Sequence, residues 1–242
     1  MGPQGGLDAI RPLAAMDEQL NHIRQAYDLT AQQYHDGIDP LDQIPDDFRN
    51  SPELAALLED AQACNSGAPE NREFLAPKAG TRFLDVGCAA SLVNYHLYRW
   101  ESTYFGVDIS SKLIAAMGRF VLQGRLVIGG LSVAELAALP FPASSFDMAA
   151  VIGVLEYCSA DYMVRGLSEL HRVLKPEARL VLDIPNLESP HVETMFRLEE
   201  CLQRKAIGHS RVTFERSLES LFSLDRCDDV HVMLKYFCRA VK

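Results

Sequence analysis

Two carboxylates lie at the ends of two neighbouring apolar segments in the first half of the chain. Asp85 falls in the run Arg82–Val86, just before Gly87, and Asp108 ends the run that starts at Tyr104. Short apolar runs followed by a turn are typical of buried parallel strands. An acid about 20 residues beyond a glycine turn is where a nucleotide-binding sheet holds ribose hydroxyls. Asp85 and Asp108 therefore indicate a ligand with hydroxyl or cationic groups.

The turn that follows the first strand lacks the pattern of a dinucleotide-binding loop. A G-x-G-x-x-G loop brings bare backbone amides to a pyrophosphate, and residues 87–91 do not contain it. Asp85, two residues before Gly87, would also repel a phosphate. This disfavours a nicotinamide-dependent dehydrogenase. S-adenosylmethionine fits better, because it carries a ribose diol, a sulfonium and an ammonium group, and no phosphate.

Four segments, in order and at fitting spacing, resemble the motifs of class I S-adenosylmethionine-dependent methyltransferases of the small-molecule, ubiquinone/menaquinone-biosynthesis type. They are residues 83–88, 104–108, 139–157 and 169–183. The resemblance implies an α/β fold with a Rossmann-like, seven-stranded, mostly parallel sheet. It also implies an antiparallel edge strand, helices on both faces of the sheet and an N-terminal helical cap.

The resemblance also assigns the cofactor-binding positions, which are Asp85, Gly87, Cys88, Ala89, Asp108, Ile109, Glu135, Tyr27 and Tyr34. Asp108 would bind the ribose diol. Glu135 meets the adenine only if the register is counted from Pro140. If the third strand ends at residues 129–130, the adenine position is Leu131 or Ser132. Cys88 is interpreted as a small apolar filler, since nothing nearby marks it as a nucleophile.

Two positions of the first motif depart from the family. The pattern has glycine where Ala89 and Ser91 stand, and glycine permits a positive φ and a close approach of backbone to cofactor. The alternative function is therefore a methyltransferase-like fold with a degenerate cofactor loop, acting as a non-catalytic binding or regulatory protein.

Three residues are candidates for catalysis. Glu156 and Tyr157 follow the fourth strand, and ligands bind outside the carboxyl ends of the strands in open parallel sheets. Glu156 alternatively caps the next helix. His35 is a candidate base at the mouth of the pocket, and its alternative is a plain surface position. Tyr27 and Tyr34 share one face of the first helix, where they contact the ligand or simply pack the cap onto the domain.

The composition narrows the function further. The chain has 242 residues and a formal net charge of −10, which argues against a nucleic-acid partner. No apolar run approaches the length of a membrane span, and no secretory signal is visible, so we expect a cytoplasmic protein. The six cysteines and the histidines show no zinc spacing, so no metal site is predicted. A homodimer is compatible with these features.

The chain divides into a helical cap at residues 1–77 and a methyltransferase domain at residues 78–242, in which residues 186–224 form a lid beside the substrate. The pattern predicts cap helices over residues 7–35 and 52–64. It predicts a helix over residues 91–100 with Ser91 as N-cap, a third strand over residues 125–130, a helix over residues 218–224, and strands over residues 230–233 and 235–241. The predicted function is methyl transfer from S-adenosylmethionine to a small-molecule acceptor.

Overall fold

The computed structural model describes residues 18–65, 68–89 and 91–242. The predicted beginning of the first cap helix, residues 7–17, lies outside the described residues, as does the N-terminal glycine-rich segment. Within the described part of the chain, no helix combines the length and the apolar character that crossing a membrane requires.

A seven-stranded sheet forms the centre of the molecule. Its strands are β1 (Arg82–Val86), β2 (Thr103–Asp108), β3 (Gly130–Val133), β4 (Phe146–Val151), β5 (Leu174–Pro185), β6 (Phe222–Asp228) and β7 (Met233–Ala240). Their order is β3-β2-β1-β4-β5-β7-β6. The pairs from β3 to β5 are parallel, whereas β7 runs antiparallel to both β5 and β6. This confirms the predicted mostly parallel sheet with antiparallel pairing at one edge.

Helices cover both faces of the sheet. They are α1 (Glu18–His35), α2 (Asp46–Arg49), α3 (Pro52–Asn65), α4 (Ala68–Leu75), α5 (Ser91–Asn94), α6 (Ser111–Gly124), α7 (Ala160–Val173), α8 (Val192–Cys201) and α9 (Arg211–Leu218). Residues of α7 and α9 belong to the core cluster on one face, and residues of α4, α5 and α6 belong to the cluster on the other. The predicted helical character of the cap is confirmed for the described residues.

Serine side chains cap the N-terminal ends of two helices. The Ser110 hydroxyl accepts the Leu113 N–H at 3.1 Å and caps α6. The Ser51 hydroxyl accepts the Leu54 N–H at 3.2 Å at the start of α3. Each hydroxyl satisfies an amide that has no partner within its helix. The cap helix α3 then packs against α8 through a small apolar cluster that contains Leu57 and Leu198.

The helix predicted for residues 91–100 is much shorter in the structure. Helix α5 ends at Asn94, His96 takes a left-handed conformation with φ +51, and a 3-10 helix follows at Leu97–Arg99. Leu92 and Leu97 are both buried. Residues five apart do not share a helix face, so a continuous helix could not bury both side chains. The turn at His96 allows both leucine side chains to be buried.

The third strand and the C-terminal segment also differ from the prediction. Strand β3 begins at Gly130, where the predicted strand was expected to end, because pairing with β2 starts opposite Phe105. The predicted helix over residues 218–224 and strand over residues 230–233 are wrong, and α9 and β6 occupy this region instead. Most β6 side chains are exposed, since β6 is an edge strand. It therefore shows no apolar alternation that would identify it in sequence.

An aromatic cluster around Phe146 packs near β1 and β2. The Phe146 ring meets Phe105 and Phe141 edge-on, with centroid distances of 5.3 Å and 4.8 Å. The Arg82 guanidinium lies over the Phe146 ring at 5.0 Å. Aromatic pairs and cation–π contacts of this kind add to the free energy of simple burial.

We expect Phe146→Ala to lower the free energy of unfolding by about 3–5 kcal/mol, because it leaves a cavity in a close-packed core. Leu122→Ala is the control. Leu122 is 78% exposed, so its truncation should change stability by no more than about 0.5 kcal/mol. Urea unfolding followed by circular dichroism measures both. Equal effects of the two substitutions would contradict the assigned core.

Candidate active site

A cavity of about 370 Å³ opens at the carboxyl ends of the parallel strands. Its walls come from the turns after β1, β2, β3 and β4 and from the ends of β5 and β7. Leu20, Ile23 and Tyr27 of α1 close it from above. The volume is within the range of small-molecule sites, and the position is where open parallel sheets bind ligands.

The turn after β1 is shaped by two residues with positive φ. Gly87 has φ +72, and a Cβ built there would lie 2.2 Å from Val154 Cγ2, so only glycine fits. Ala89 has φ +32, a conformation that is costly for a residue with a Cβ. The Ala89 N–H donates to Asp108 Oδ2 at 2.9 Å. This bond holds the alanine where the family pattern has glycine.

The Ser91 hydroxyl does not cap α5, which corrects the prediction. Ser91 is the first residue of the helix, and its hydroxyl donates to Asp85 Oδ2 and also lies close to the Cys88 carbonyl oxygen. The Tyr104 hydroxyl donates to the same Asp85 oxygen at 2.8 Å. The Ser91 hydroxyl therefore binds the buried Asp85 carboxylate and not a backbone amide of α5.

Asp85 and Asp108 are both buried, and burial shifts their acidity. Burial raises the pKa of Asp85 to about 6, although the hydroxyls of Ser91 and Tyr104 oppose the shift. Burial also raises the pKa of Asp108, against the opposing effect of the backbone amides of Ser110 and Ala89. The Ser110 N–H donates to Asp108 Oδ1 at 2.8 Å. Two desolvated carboxylates in one cavity favour a cationic or hydroxyl-bearing ligand and disfavour a phosphate.

Hydrogen bonds tie the cap helix α1 to the strand ends. Asp28 Oδ1 accepts the Ser110 hydroxyl at 2.6 Å, and Ser110 is the residue whose amide binds Asp108. The Tyr27 hydroxyl donates to the Tyr157 hydroxyl at 3.2 Å. The cap is therefore fastened at two sides of the cavity mouth.

The hydrogen bond between Tyr27 and Tyr157 is extended by contacts that reach α8. The Tyr157 hydroxyl donates to Glu199 Oε2 at 2.8 Å, and Arg204 forms an ion pair with Glu199 at 2.9 Å. The Arg204 guanidinium also lies over the Tyr27 ring at 4.9 Å. Burial raises the pKa of Tyr157 well above its usual value. Tyr157 is thus a neutral hydrogen-bonding group at the cavity wall.

The structure brings eight of the predicted site residues together in the cavity wall. They are Tyr27, Asp85, Gly87, Cys88, Ala89, Asp108, Ile109 and Tyr157. Burial raises the pKa of the Cys88 thiol, with the charges of Asp85 and Asp108 acting in the same direction, so the thiol stays protonated.

Four other predicted residues lie outside the cavity wall. Tyr34 is 66% exposed and His35 is exposed beside it at the end of α1. Glu135 is half-buried two residues after β3, and its neighbours Ala134 and Leu136 line the cavity instead. Glu156 is buried behind the wall.

Glu156 is a buried carboxyl group with an unsatisfied atom. Its Oε2 has no hydrogen-bond partner among the described residues. Burial raises its pKa well above the usual value, and the charges of Asp183 and Glu199 raise it further. These effects favour the protonated form of Glu156, and its role as a catalytic residue stays a prediction.

Sequence reasoning missed several wall residues, of which Asp183 and Lys235 are the most informative. Both are charged, and each interrupts an apolar run, residues 180–185 of β5 and residues 233–238 of β7. That interruption was a usable signal, because charged residues are rarely fully buried without a specific partner. Among the described residues, no group of three or more His, Cys, Asp or Glu side chains is placed to hold a metal ion.

Comparison with known proteins shows what this chain is similar to. Residues 84–182 match the family described as "Methyltransferase domain". An uncharacterised protein of Methanocaldococcus jannaschii is 31% identical over 113 residues, which are 47% of this chain and 44% of that protein. The chain thus spans less than half the length of this curated relative.

Two solved structures share the fold over nearly the whole chain. The first is the 1,6-didemethyltoxoflavin-N1-methyltransferase of Burkholderia thailandensis, with 1,6-didemethyltoxoflavin and S-adenosylhomocysteine bound. It has a TM-score of 0.60 and 16% identity, and covers 97% of this chain and 94% of its own. The second is the cyclase SpnF, with a TM-score of 0.61, 18% identity and coverage of 90% and 95%. Residues 84–182 of this chain are therefore similar to the methyltransferase domain family, and the chain shares the Rossmann-like fold of these solved structures.

Proposed function

We propose that this protein transfers a methyl group from S-adenosylmethionine to a small-molecule acceptor in the cytoplasm. The observation that carries the proposal is the pair of buried carboxylates, Asp85 and Asp108, in the wall of one cavity at the ends of adjacent strands. The two charges suit a ligand with a cationic group and a ribose diol. The bound S-adenosylhomocysteine in the Burkholderia thailandensis enzyme supports the same proposal.

The residues of the cavity fit this cofactor. The two oxygens of Asp108 accept the N–H groups of Ala89 and Ser110. Each carboxylate oxygen has a further lone pair, which can accept a ribose hydroxyl. Asp85 receives both of its hydroxyl donors on Oδ2, which leaves Oδ1 for the ammonium group. Ala134 and Leu136, after β3, provide an apolar surface for the adenine.

Catalysis in this site depends on alignment and the exclusion of water. When bound, S-adenosylmethionine supplies an activated methyl group on a positively charged sulfur. The positive charge disperses as the methyl moves, so the protein gains most by fixing the acceptor in line and keeping the site dry. Leu20 and Ile23 of α1 close the cavity with apolar side chains, and the Tyr157 hydroxyl can orient an acceptor.

A second function remains as the alternative, a methyltransferase-like fold acting as a binding or regulatory protein. The positive φ of Ala89 motivates it, because the family has glycine there. The solved structure of a cyclase with this fold also illustrates that one fold hosts different activities. The Ala89–Asp108 hydrogen bond favours the first function, since it keeps the loop ordered despite the added Cβ.

We expect the protein to bind S-adenosylhomocysteine in calorimetric titration and Asp108→Ala to weaken that binding at least about tenfold, because hydrogen bonds to a charged group are lost. Asp108→Asn, which keeps one acceptor oxygen for the loop, should show an intermediate loss. Asp225→Ala is the matched control, since Asp225 pairs with Arg239 on β7, away from the cavity. A folded wild-type protein that binds no S-adenosylhomocysteine would overturn the proposed function.

We expect Asp85→Asn to stabilise the protein near neutral pH while it weakens cofactor binding. Burial raises the Asp85 pKa from 3.8 to about 6, so the folded state holds the proton more tightly than the unfolded chain. Stability from this group is therefore lost as pH rises from about 4 to 6, by a total of about 3 kcal/mol. The neutral amide should recover up to that amount at pH 7.5.

Urea unfolding of the Asp85→Asn protein at several pH values measures this effect. The gain in stability should be largest near neutral pH and should nearly vanish near pH 3, below both pKa values, where Asp85 is mostly protonated in both states. Ser223→Ala, an exposed change on the edge strand β6, serves as control for the titration of the other groups. A gain that does not depend on pH would contradict the assigned role of the Asp85 charge.

A further inference from the structure

The cavity extends beyond the strand ends onto one face of the sheet. Helix α5 stops at Asn94, so it leaves the upper part of this face uncovered. Side chains alternate between the two faces of a strand, and six wall residues from β1, β4, β5 and β7 or their ends lie on the same face. They are Phe83, Asp85, Ala150, Ile152, Asp183 and Lys235. We call this part of the cavity the face lobe.

The side walls of the face lobe are apolar and aromatic. Leu75 of α4 and Leu97 and Trp100 of the segment after α5 line it. The Trp100 ring stacks on Phe83 with a centroid distance of 5.1 Å and an interplanar angle of 30°. Flat aromatic walls of this kind favour a flat, apolar ligand body.

The far end of the face lobe carries a pair of opposite charges. Asp183 and Lys235 are register partners on β5 and β7, with 2% and 6% of their surfaces exposed. The Gly153 N–H donates to Asp183 Oδ1 at 2.9 Å. Burial raises the pKa of Asp183 to about 6, and the Gly153 amide and the Lys235 charge oppose the shift. The Gly153 amide and the Lys235 charge thus favour the ionised form of Asp183.

The position of this charged pair separates it from the expected cofactor. Strands β2 and β5 are three steps apart in the sheet, which is about 14 Å at the usual strand spacing. The proposed function places the ammonium group of S-adenosylmethionine at Asp85 on β1, and β1 lies two steps from β5 in the sheet, or about 10 Å. A cofactor held at Asp108 and Asp85 therefore leaves the end of the face lobe at Asp183 and Lys235 for another ligand.

Charge also restricts what the face lobe can hold. An anionic ligand would meet the carboxylates of Asp85 and Asp183, and a cationic ligand would meet Lys235. A hydroxyl group suits the pair, because it donates to a carboxylate and accepts from an ammonium group at the same time. Such a group is neutral, so it crosses the apolar walls without the cost of burying a charge.

We propose that the face lobe is the acceptor subsite and that Asp183 and Lys235 select a flat, neutral, aromatic acceptor through a hydroxyl group. This inference rests on the proposed function, since it assigns Asp85, at the edge of the face lobe, and the remainder of the cavity to the cofactor. Asp183 and Lys235 are specificity-determining residues, which bind the end of the acceptor remote from the ribose site. Methylation takes place at the opposite end of the acceptor, on the side of the face lobe that faces Asp85 and Asp108.

The chain contains a built-in reporter for this subsite. It has one tryptophan, and that residue, Trp100, lines the face lobe. The indole N–H therefore gives a single signal in a two-dimensional NMR spectrum of the labelled protein. A ligand in the face lobe shifts that signal, and its concentration dependence gives the dissociation constant.

Phenol, anisole and benzoate are the probes, each titrated with and without saturating S-adenosylhomocysteine. We expect phenol to shift the Trp100 signal and to bind about tenfold more tightly than anisole, because the methyl ether cannot donate to Asp183. Benzoate should bind more weakly than phenol because it brings a negative charge. Asp183→Asn and Lys235→Met should each bring the phenol-to-anisole ratio to within about twofold of one.

Affinity for S-adenosylhomocysteine should stay within about twofold of wild type in both variants, and this also verifies that they are folded. Asp225→Asn is the matched control for loss of a carboxylate on the same sheet. Equal binding of phenol and anisole to wild type, no Trp100 shift with any probe, or a preference that survives in both variants would overturn the inference. Failure of wild type to bind S-adenosylhomocysteine, with the phenol preference intact, would overturn the proposed function and not the hydroxyl-selective pocket.

Discussion

The burial of three carboxylates at the ends of parallel strands is the constraint on which the site depends. Asp85, Asp108 and Asp183 all lie in one largely apolar cavity, where an ionised carboxylate loses its hydration. Each receives hydrogen bonds from nearby donors: two hydroxyls at Asp85, two loop amides at Asp108 and the Gly153 amide at Asp183. Most of these donors lie in the turns and loops around the cavity. The hydrogen bonds that satisfy the carboxylates therefore also fix the shape of the cavity.

The sequence predicted the parts of the structure that depend on local pattern. Short apolar runs predicted the parallel strands, and an acid at the end of each run placed Asp85 and Asp108 in one cavity. The length of α5 could not be predicted, because it depends on Ser91 bonding to Asp85 and on the burial of both Leu92 and Leu97. These are tertiary effects that override the helical pattern of residues 91–100.

The register pairing of Asp183 with Lys235 could not be predicted from the sequence, for a different reason. Fifty-two residues separate the two along the chain, and only the antiparallel register of β5 with β7 brings them side by side. Edge strand β6, which fixes the outer side of β7, is largely exposed and has no apolar alternation. The face lobe thus arises from two unpredictable features together, a helix that stops early and a register set by a distant strand.

Helix α1 has a consequence for how a ligand reaches the cavity. Its inner side chains Leu20, Ile23 and Tyr27 form the roof of the cavity, so a displacement of the helix would widen the opening. The roof is held by polar contacts at its edges, Asp28 with Ser110 and Tyr27 with Tyr157, and by the burial of Leu20 and Ile23. Under the proposed function, opening of this helix would admit the ligands and release the product, and it could then limit the rate of turnover.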